Sequence, residues 1–458
     1  MQSALSYATD HQDRFVEELE AWLRIPSIST DPAYADEVRR AGTWLADHLR
    51  SLGLQHVELH DTDGHPILFA AHEIDPLKPT VLIYGHYDVQ PPDPVELWDT
   101  PPFEPTRKNG DLYARGASDD KGQLFMHVKA LEAYLQAEQD PPVNIKLLIE
   151  GEEESGSVSI GPFMDAHADL LTADVALVSD TALFAKGVPS ITAGLRGMAY
   201  VEVTLTGPNR DLHSGVYGGA VENPINALCR LIAGLHDEHH RVTIPGFYDR
   251  VRPLSEDERA MIRDLPFDAS AWLGEVGVQH GKTEAGYHPL EGTGARPTLD
   301  VNGIWGGYIG RGAKTVLPSE AHAKISMRLV ANQDPEEIAE KLQAHLEAQT
   351  PPTMTLTFKR HHGGYPVLVE TDSTAMQAAA EAMEGVYGQR PYFTREGGSI
   401  PIVADFKKRL GIDTVLMGFG LNSDALHSPN EHFGLDRFRD GIQASIRFLQ
   451  QYALKNEK

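Results

Sequence analysis

The near-continuous apolar run Ile145-Lys-Leu-Leu-Ile149 stops almost at once at Gly151-Glu152-Glu153-Glu154-Ser155-Gly156. A buried strand that ends in adjacent acids puts carboxylates at a strand's carboxyl end, where α/β proteins hold their ligands. Adjacent carboxylates repel each other. A metal ion or a shared proton can neutralise them, and either separates their pKa values into acid and base roles. Read alone, Glu153-Glu154 also fits a solvated helix start, because acids favour a helix N-terminus.

Strand and helix signals alternate on both sides of this run. Amphipathic helices are predicted over Gln12–Leu23 and Val38–Leu52, and a further helix over Gln123–Tyr134. Strands are predicted over Ile67–Ala71, Thr80–Tyr84, Val143–Ile149 and Val175–Val178. That alternation predicts an α/β layer architecture. Near Gly194 the pattern changes: in Tyr200–Thr206 the apolar Val201, Val203 and Leu205 alternate with Glu202, Thr204 and Thr206. A helix over Asn223–His236, strands around Leu299–Trp305 and Ala321–Val330, a helix over Pro335–Gln349 and a strand over Met354–Phe358 follow. The order β-α-β-β-α-β, with an insertion at about 245–298, is the split βαβ pattern. After His361-His362-Gly363-Gly364 the α/β pattern resumes. A chain of 458 residues is expected to form two domains. These patterns place them at residues 1–193 with 362–458, a discontinuous α/β domain, and at residues 194–361, inserted into it.

Charge narrows the partners. With 66 Asp plus Glu against 40 Lys plus Arg, the formal charge is −26. No basic stripe with interleaved aromatics appears, so nucleic acid and anionic membranes are poor partner candidates. Cys229 is the only cysteine, which rules out an internal disulfide and a cysteine-based zinc site. In the run Ile225, Leu228, Cys229, Ile232, Leu235 it reads as a small buried hydrophobe. No secretory leader pattern and no membrane-length apolar stretch are seen, so a cytoplasmic location is expected. No G-x-S-x-G elbow and no nucleotide-binding glycine pattern occurs, so serine-hydrolase and nucleotide-binding readings lack support.

Chemistry-bearing residues recur at the expected strand ends. His86 and Asp88 form a His-x-Asp pair after the strand Thr80–Tyr84. A single His is usually structural, yet a ligating imidazole commonly donates its second N–H to a carboxylate. Arg115-Gly-Ala-Ser-Asp119-Asp120-Lys-Gly122 is a glycine-flanked turn leading into a helix. There Asp119 or Asp120 fits a helix N-cap, and Asp119 fits equally a carboxylate bridging two cations. Asp180 follows the strand Val175–Val178, and His427 lies in Asp424-Ala-Leu-His427-Ser-Pro-Asn-Glu431, before the last helix.

With these motifs in this order, the chain resembles the dinuclear zinc amidohydrolases and peptidases that include carnosinase, aminoacylase and glutamate carboxypeptidase. The runs Asp211-Leu-His213-Ser-Gly-Val-Tyr-Gly-Gly219 and Arg395-Glu-Gly-Gly-Ser-Ile-Pro401 resemble most the carnosinase and cytosolic dipeptidase branch. The resemblance implies a zinc-peptidase-like α/β catalytic domain with an inserted α+β, ferredoxin-like lid and dimerisation domain. It implies that Asp119 bridges two metal ions, one also held by His86 and Asp180, the other by Glu154 and His427. Asp88 would orient His86, Glu153 would act as general base, and the Asp119–Asp120 peptide would be cis. His213 would donate to the oxyanion in a partner subunit's site, which implies a homodimer. Arg328 would pair with a substrate carboxylate in a bidentate manner, and Thr315, Ser399 and His362 would add polar substrate contacts. One His and two carboxylates per ion suit zinc, and also manganese or cobalt.

The expected activity is metal-dependent hydrolysis of dipeptides or other short peptides with a free C-terminal carboxylate, with Glu153 as base. Two alternatives stay open at this point. One is N-acyl-amino-acid deacylation by the same residues, and the other is a non-catalytic binding role on the same fold.

Overall fold

Three strands, Thr80–His86, Asn144–Glu150 and Val175–Val178, are buried almost throughout their length. That is why their sequences read as apolar runs and not as alternations. The computed structural model describes residues 1–137, 140–398 and 400–457, excepting the side chain of residue 362. In it the three strands pair in parallel, with Thr80–His86 in the middle. His86, Glu150 and Val178 therefore end at one edge of the sheet, and the acidic turn after Glu150 and Asp180 after Val178 collect there. The sheet order runs His56–His60, Ile67–His72, Asn144–Glu150, Thr80–His86, Val175–Val178, Asp413–Leu416 and Ser190–Leu195.

The chain divides into two units. One comprises Met1–Ala193, Val369–Thr394 and Asp405–Lys458, and the other Gly194–Leu368 with Arg395–Ala404. The second unit runs past residue 361 because the strand Thr355–Gly364 is longer than its apolar stretch Met354–Phe358. His361-His362 accordingly lies within that strand.

In the first unit, the helix Lys121–Gln136 is buried from Lys121 to Tyr134 and packs on the helix Leu435–Asn456. Its polar residues are inside because each finds a partner. Lys121 Nζ donates to the Ile25 carbonyl at 2.8 Å. His127 lies between Ser179 Oγ at 2.8 Å and Ser445 Oγ at 3.0 Å. Burial drives the His127 pKa down to about 4, so the ring is neutral in the folded chain and protonates in the unfolded one at pH 5–6. A depressed folded pKa contributes stability that is complete above the unfolded value of 6.5 and lost as pH falls towards 4. The loss amounts to about 3 kcal/mol. We expect His127→Gln to flatten the fall in urea midpoint between pH 7 and pH 4.5. An unchanged slope would count against this linkage.

Short elements that sequence periodicity does not signal also matter. Thr106–Lys108, Asp111–Tyr113 and His432–Gly434 form a small antiparallel sheet. It brings the segment after His427 alongside the segment before Arg115.

The second unit is a four-stranded sheet in the order Thr298–Gly306, Glu320–Leu329, Gly197–Thr206, Thr355–Gly364. Side chains of Gly197–Thr206 alternate buried and half-buried along the whole strand, as one covered face requires. Val201, Val203, Leu205, Ile325 and Met327 meet Leu228, Leu231, Ile338 and Leu342 of the helices Pro224–Ala233 and Pro335–Gln349. This is the ferredoxin-like arrangement expected from the β-α-β-β-α-β order. Cys229 departs from expectation and is exposed. The buried residues of its helix are Pro224, Ala227, Leu228 and Leu231, and Cys229 is turned about 100° away from Leu228, off that stripe. Among the described residues no helix is long and apolar enough to cross a membrane.

Candidate metal centre

The strand ends of the first unit deliver a cluster of acids and imidazoles. His86, Asp119 and Asp180 form one group whose donor atoms lie within 4.8 Å of one another, and Asp119, Glu154 and His427 form a second. Asp119 belongs to both. Its Oδ1 is 3.1 Å from His86 Nε2 and its Oδ2 is 2.9 Å from His427 Nε2. His427 Nε2 is also 3.4 Å from Glu154 Oε2. The Asp119–Asp120 peptide is cis. Asp120 takes the N-cap position of the following helix without a side-chain cap bond. Its Oδ2 accepts the His86 backbone N–H at 3.3 Å instead. Glu153 and Glu154 occupy a single 3₁₀ turn, Glu153–Ser155, and the Glu154 side chain is only 4% exposed. They are not a solvated helix start.

Proton counting shows what such a cluster wants. His86 Nδ1 faces two acceptors, the Asp88 carbonyl at 3.1 Å and Asp88 Oδ1 at 3.3 Å. A neutral ring with its proton on Nδ1 turns its Nε2 lone pair towards Asp119 Oδ1, another lone pair. Either His86 is an imidazolium or a cation sits between them. Without a cation, the cluster is under electrostatic stress. Burial alone would hold His86 down, but the carboxylates of Asp119 and Asp88 outweigh it and push it well up. Burial and the Asp119 charge push Asp180 up to about 7. Burial, with the neighbouring Asp180 and Glu154 charges, pushes Glu153 well above the usual carboxylate range. His427 is pushed up to about 10 by its hydrogen bonds to Asp119 and Glu154. A hard or borderline divalent cation relieves each of these conflicts, so the residues fit a metal.

A third His/carboxylate group, Glu18, His48 and Glu132, is of a different kind. Lys129 Nζ is 2.6 Å from Glu132 Oε2 and 2.8 Å from His48 Nε2, and it also donates to Glu18. That group already holds a cation, the protein's own ammonium.

Comparison with known proteins identifies the family. Residues 82–451 match the model of peptidase family M20/M25/M40. The chain belongs to this family. A Cys-Gly metallodipeptidase of Schizosaccharomyces pombe is 33% identical over 457 residues, 96% of each chain. A Beta-Ala-His dipeptidase of Homo sapiens is 31% identical over 470 residues, covering 99% of this chain and 93% of its own. An M20 family metallo-carboxypeptidase from Sulfolobus solfataricus has a solved structure that superposes with a TM-score of 0.84. It is 35% identical, with 96% of this chain and 99% of that one covered. The resemblance read from the motifs holds, down to the carnosinase and dipeptidase branch.

This M20 chain also uses residues that motif reading passed over. Asp88 does more than face His86: its carboxylate accepts the backbone N–H of Glu153 at 3.2 Å, that of Glu154 at 3.0 Å and the Ser29 hydroxyl at 2.6 Å. One carboxylate thus ties the histidine to the acidic turn. Gln90 Nε2 donates to Glu154 Oε2 at 2.8 Å. Glu431 accepts from Arg115 and from the backbone around Asp119. The signal for Glu431 was in the His427 motif, but Ser29 and Gln90 leave none that periodicity or charge reveals.

Gly122 is required by a close approach. A Cβ there would lie 1.9 Å from the Ala117 carbonyl oxygen, in the turn that carries Asp119. Gly122→Ala is expected to cost about 2–3 kcal/mol of stability. A denaturation midpoint equal to the wild type would refute this.

The remaining candidates belong to the second unit. His213 and Thr315 come together there: His213 pairs with Val316, and the Ser214 N–H donates to the Thr315 carbonyl at 3.1 Å. His213 Nδ1 accepts the Gly215 N–H at 3.0 Å, so the neutral ring carries its proton on Nε2. Arg328 is half-buried on the strand Glu320–Leu329, opposite Thr298. Ser399 and the side chain of His362 lie outside the described residues.

Proposed function

We propose that this chain is a dinuclear metallo-dipeptidase that hydrolyses the amide bond of dipeptides and other short peptides ending in a free carboxylate. One observation carries the reading. Asp119 offers one oxygen to each of two His-containing donor groups, while Glu153 stands beside them in neither group. In this reading His86, Asp119 and Asp180 hold one divalent ion, and Asp119, Glu154 and His427 the other. Zinc is the first candidate, with manganese and cobalt suited to the same donors. When bound, such ions lower the pKa of a water and polarise the scissile carbonyl.

The chain's own residues supply the rest. Glu153, beside both donor groups and in neither, takes the proton of the attacking water as a carboxylate and delivers it to the leaving amine. Asp88 holds His86 in one tautomer and fixes the turn that aims Glu153. His213 is assigned as the oxyanion donor, in keeping with a proton on Nε2. Arg328 is assigned to the substrate carboxylate, with Thr315, Ser399 and His362 as lesser contacts. A homodimer through the inserted unit is part of the reading. Its edge strand Thr298–Gly306 exposes Val301, Ile304 and Trp305, and an exposed apolar edge is a pairing surface.

The structural likeness to a metallo-carboxypeptidase favours one second reading, removal of the C-terminal residue from longer peptides. Reloading metal-free protein with zinc or manganese tests both, using Ala-Ala, Ala-Ala-Ala, a β-alanyl dipeptide and N-acetyl-alanine. Turnover of the dipeptides at least as fast as the tripeptide supports the proposal, and faster turnover of the tripeptide supports the carboxypeptidase reading. Turnover of N-acetyl-alanine alone would make the chain a deacylase. No turnover with either metal would overturn the proposal.

A further inference from the structure

We infer that Asp424 and Glu431 form a two-point clamp that positions His427 against Asp119, an inference that rests on the two-ion reading above. The two donor groups are built differently. His86 is fully buried and gripped by Asp88, whereas the His427 side chain is 54% exposed, so packing does not set its place. The His427 loop is also poor at holding itself. Ala425, His427 and Asn430 have φ of 57°, 57° and 66°, in the left-handed region that residues other than glycine rarely adopt.

Both ends of that loop are instead pinned to the turn that carries Asp119. Before His427, Asp424 Oδ2 accepts the Ser118 hydroxyl at 3.1 Å and the Leu421 N–H at 2.9 Å. Arg437 neutralises it through its two terminal nitrogens, Nη1 and Nη2, at 2.5 and 2.7 Å. After His427, Glu431 Oε1 accepts the N–H groups of Ser118 and Asp119 at 2.9 and 3.1 Å. Its Oε2 accepts from Arg115 Nη1 at 2.8 Å and from the Gly116 N–H at 3.0 Å. The Glu431 carbonyl accepts the Ala114 N–H at 3.1 Å, and the strand His432–Gly434 continues the attachment along Asp111–Tyr113. Asp424 and Glu431 are both fully buried. One carboxylate therefore holds the peptide of Asp119 and the end of the loop that presents His427. Neither acid belongs to the donor groups, so both are positioning residues.

The asymmetry makes a specific expectation: loosening the clamp weakens the His427 equivalent most, because Asp119 is shared but Asp88 holds His86 independently. Glu431→Gln in the full chain leaves an amide whose NH₂ must face either Arg115 and Gly116 or Ser118 and Asp119, donor against donor. Calorimetric titration of the metal-free protein with zinc is expected to show a second equivalent weakened about 10–100-fold and a first weakened far less. In assays at limiting zinc, kcat falls in step with occupancy of the second equivalent while KM is unchanged, and saturating zinc restores it. A folded variant that binds both equivalents as the wild type does overturns the clamp. Should Glu431→Gln fail to fold, Ser118→Ala removes only the hydroxyl bond to Asp424. It is expected to weaken the second equivalent about fivefold while the chain stays folded, and unaltered binding overturns the inference. A wild-type chain that takes up fewer than two equivalents overturns the two-ion reading itself, and the clamp with it.

Discussion

Glu153→Gln is expected to lower kcat about 10³-fold while metal content and KM stay at wild-type values. Gln has the size and shape of Glu, so the 3₁₀ turn survives. The backbone N–H groups of Glu153 and Glu154 that Asp88 accepts are untouched by the substitution. Glu153 is absent from both donor groups, so no ligand is removed. What disappears is a group able to take a proton from water and return it to an amine. Steady-state kinetics with metal analysis on the same samples checks this. A variant within tenfold of wild-type kcat would remove Glu153 from the mechanism, and one with depleted metal would make it a ligand.

Stripping the metal is expected to abolish turnover and to uncover, at the emptied donor groups, a loss of stability as pH rises. Asp180 has its folded pKa raised from 3.8 to about 7. An acid so raised contributes stability that is complete below its unfolded pKa and lost as pH rises through the folded value. For Asp180 alone the loss between about pH 4 and pH 7 is up to about 4 kcal/mol, and Glu153, also raised, adds to it. The emptied donor groups therefore favour the stripped chain at pH 5 over pH 8, against the opposite trend that His127 contributes. Metal requires deprotonated donors, so its binding strengthens over the same range and stabilises only the folded chain. The Tm gap between loaded and stripped protein should widen from pH 5 to pH 8, to about 5 °C or more. A gap that is constant or narrows would mean that these acids do not meet a cation here.

Much of the donor set was legible beforehand because its signals are local. His86, Glu154 and Asp180 each follow an apolar run that can only be a buried strand, and parallel strands bring such ends to one edge. The inserted unit was legible for the same reason, since a period of two in Tyr200–Thr206 shows a sheet with one covered face. Local patterns mislead where the covered stripe is narrow. Cys229 sits among apolar neighbours in sequence, yet it is rotated off the buried face of its helix. They also fade where an element is short. The three-residue strand His432–Gly434 carries no period, although it places the His427 loop.

The amino-acid sequence by itself determined which elements form and which side chains could ligate, because helix and strand periods, strand-end acids and turn glycines act over a few residues. Only the tertiary structure decided that Asp119 turns one oxygen to His86 and the other to His427. It also decided that Asp88 joins His86 to the Glu153 turn and that Glu431 holds the peptide of Asp119. These bonds link residues as many as 313 positions apart, and each depends on buried charges meeting a partner at hydrogen-bond distance. No local pattern encodes that distance. The packing of the first unit sets it, because a carboxylate such as Glu431 is stable in the interior only where donors converge on it.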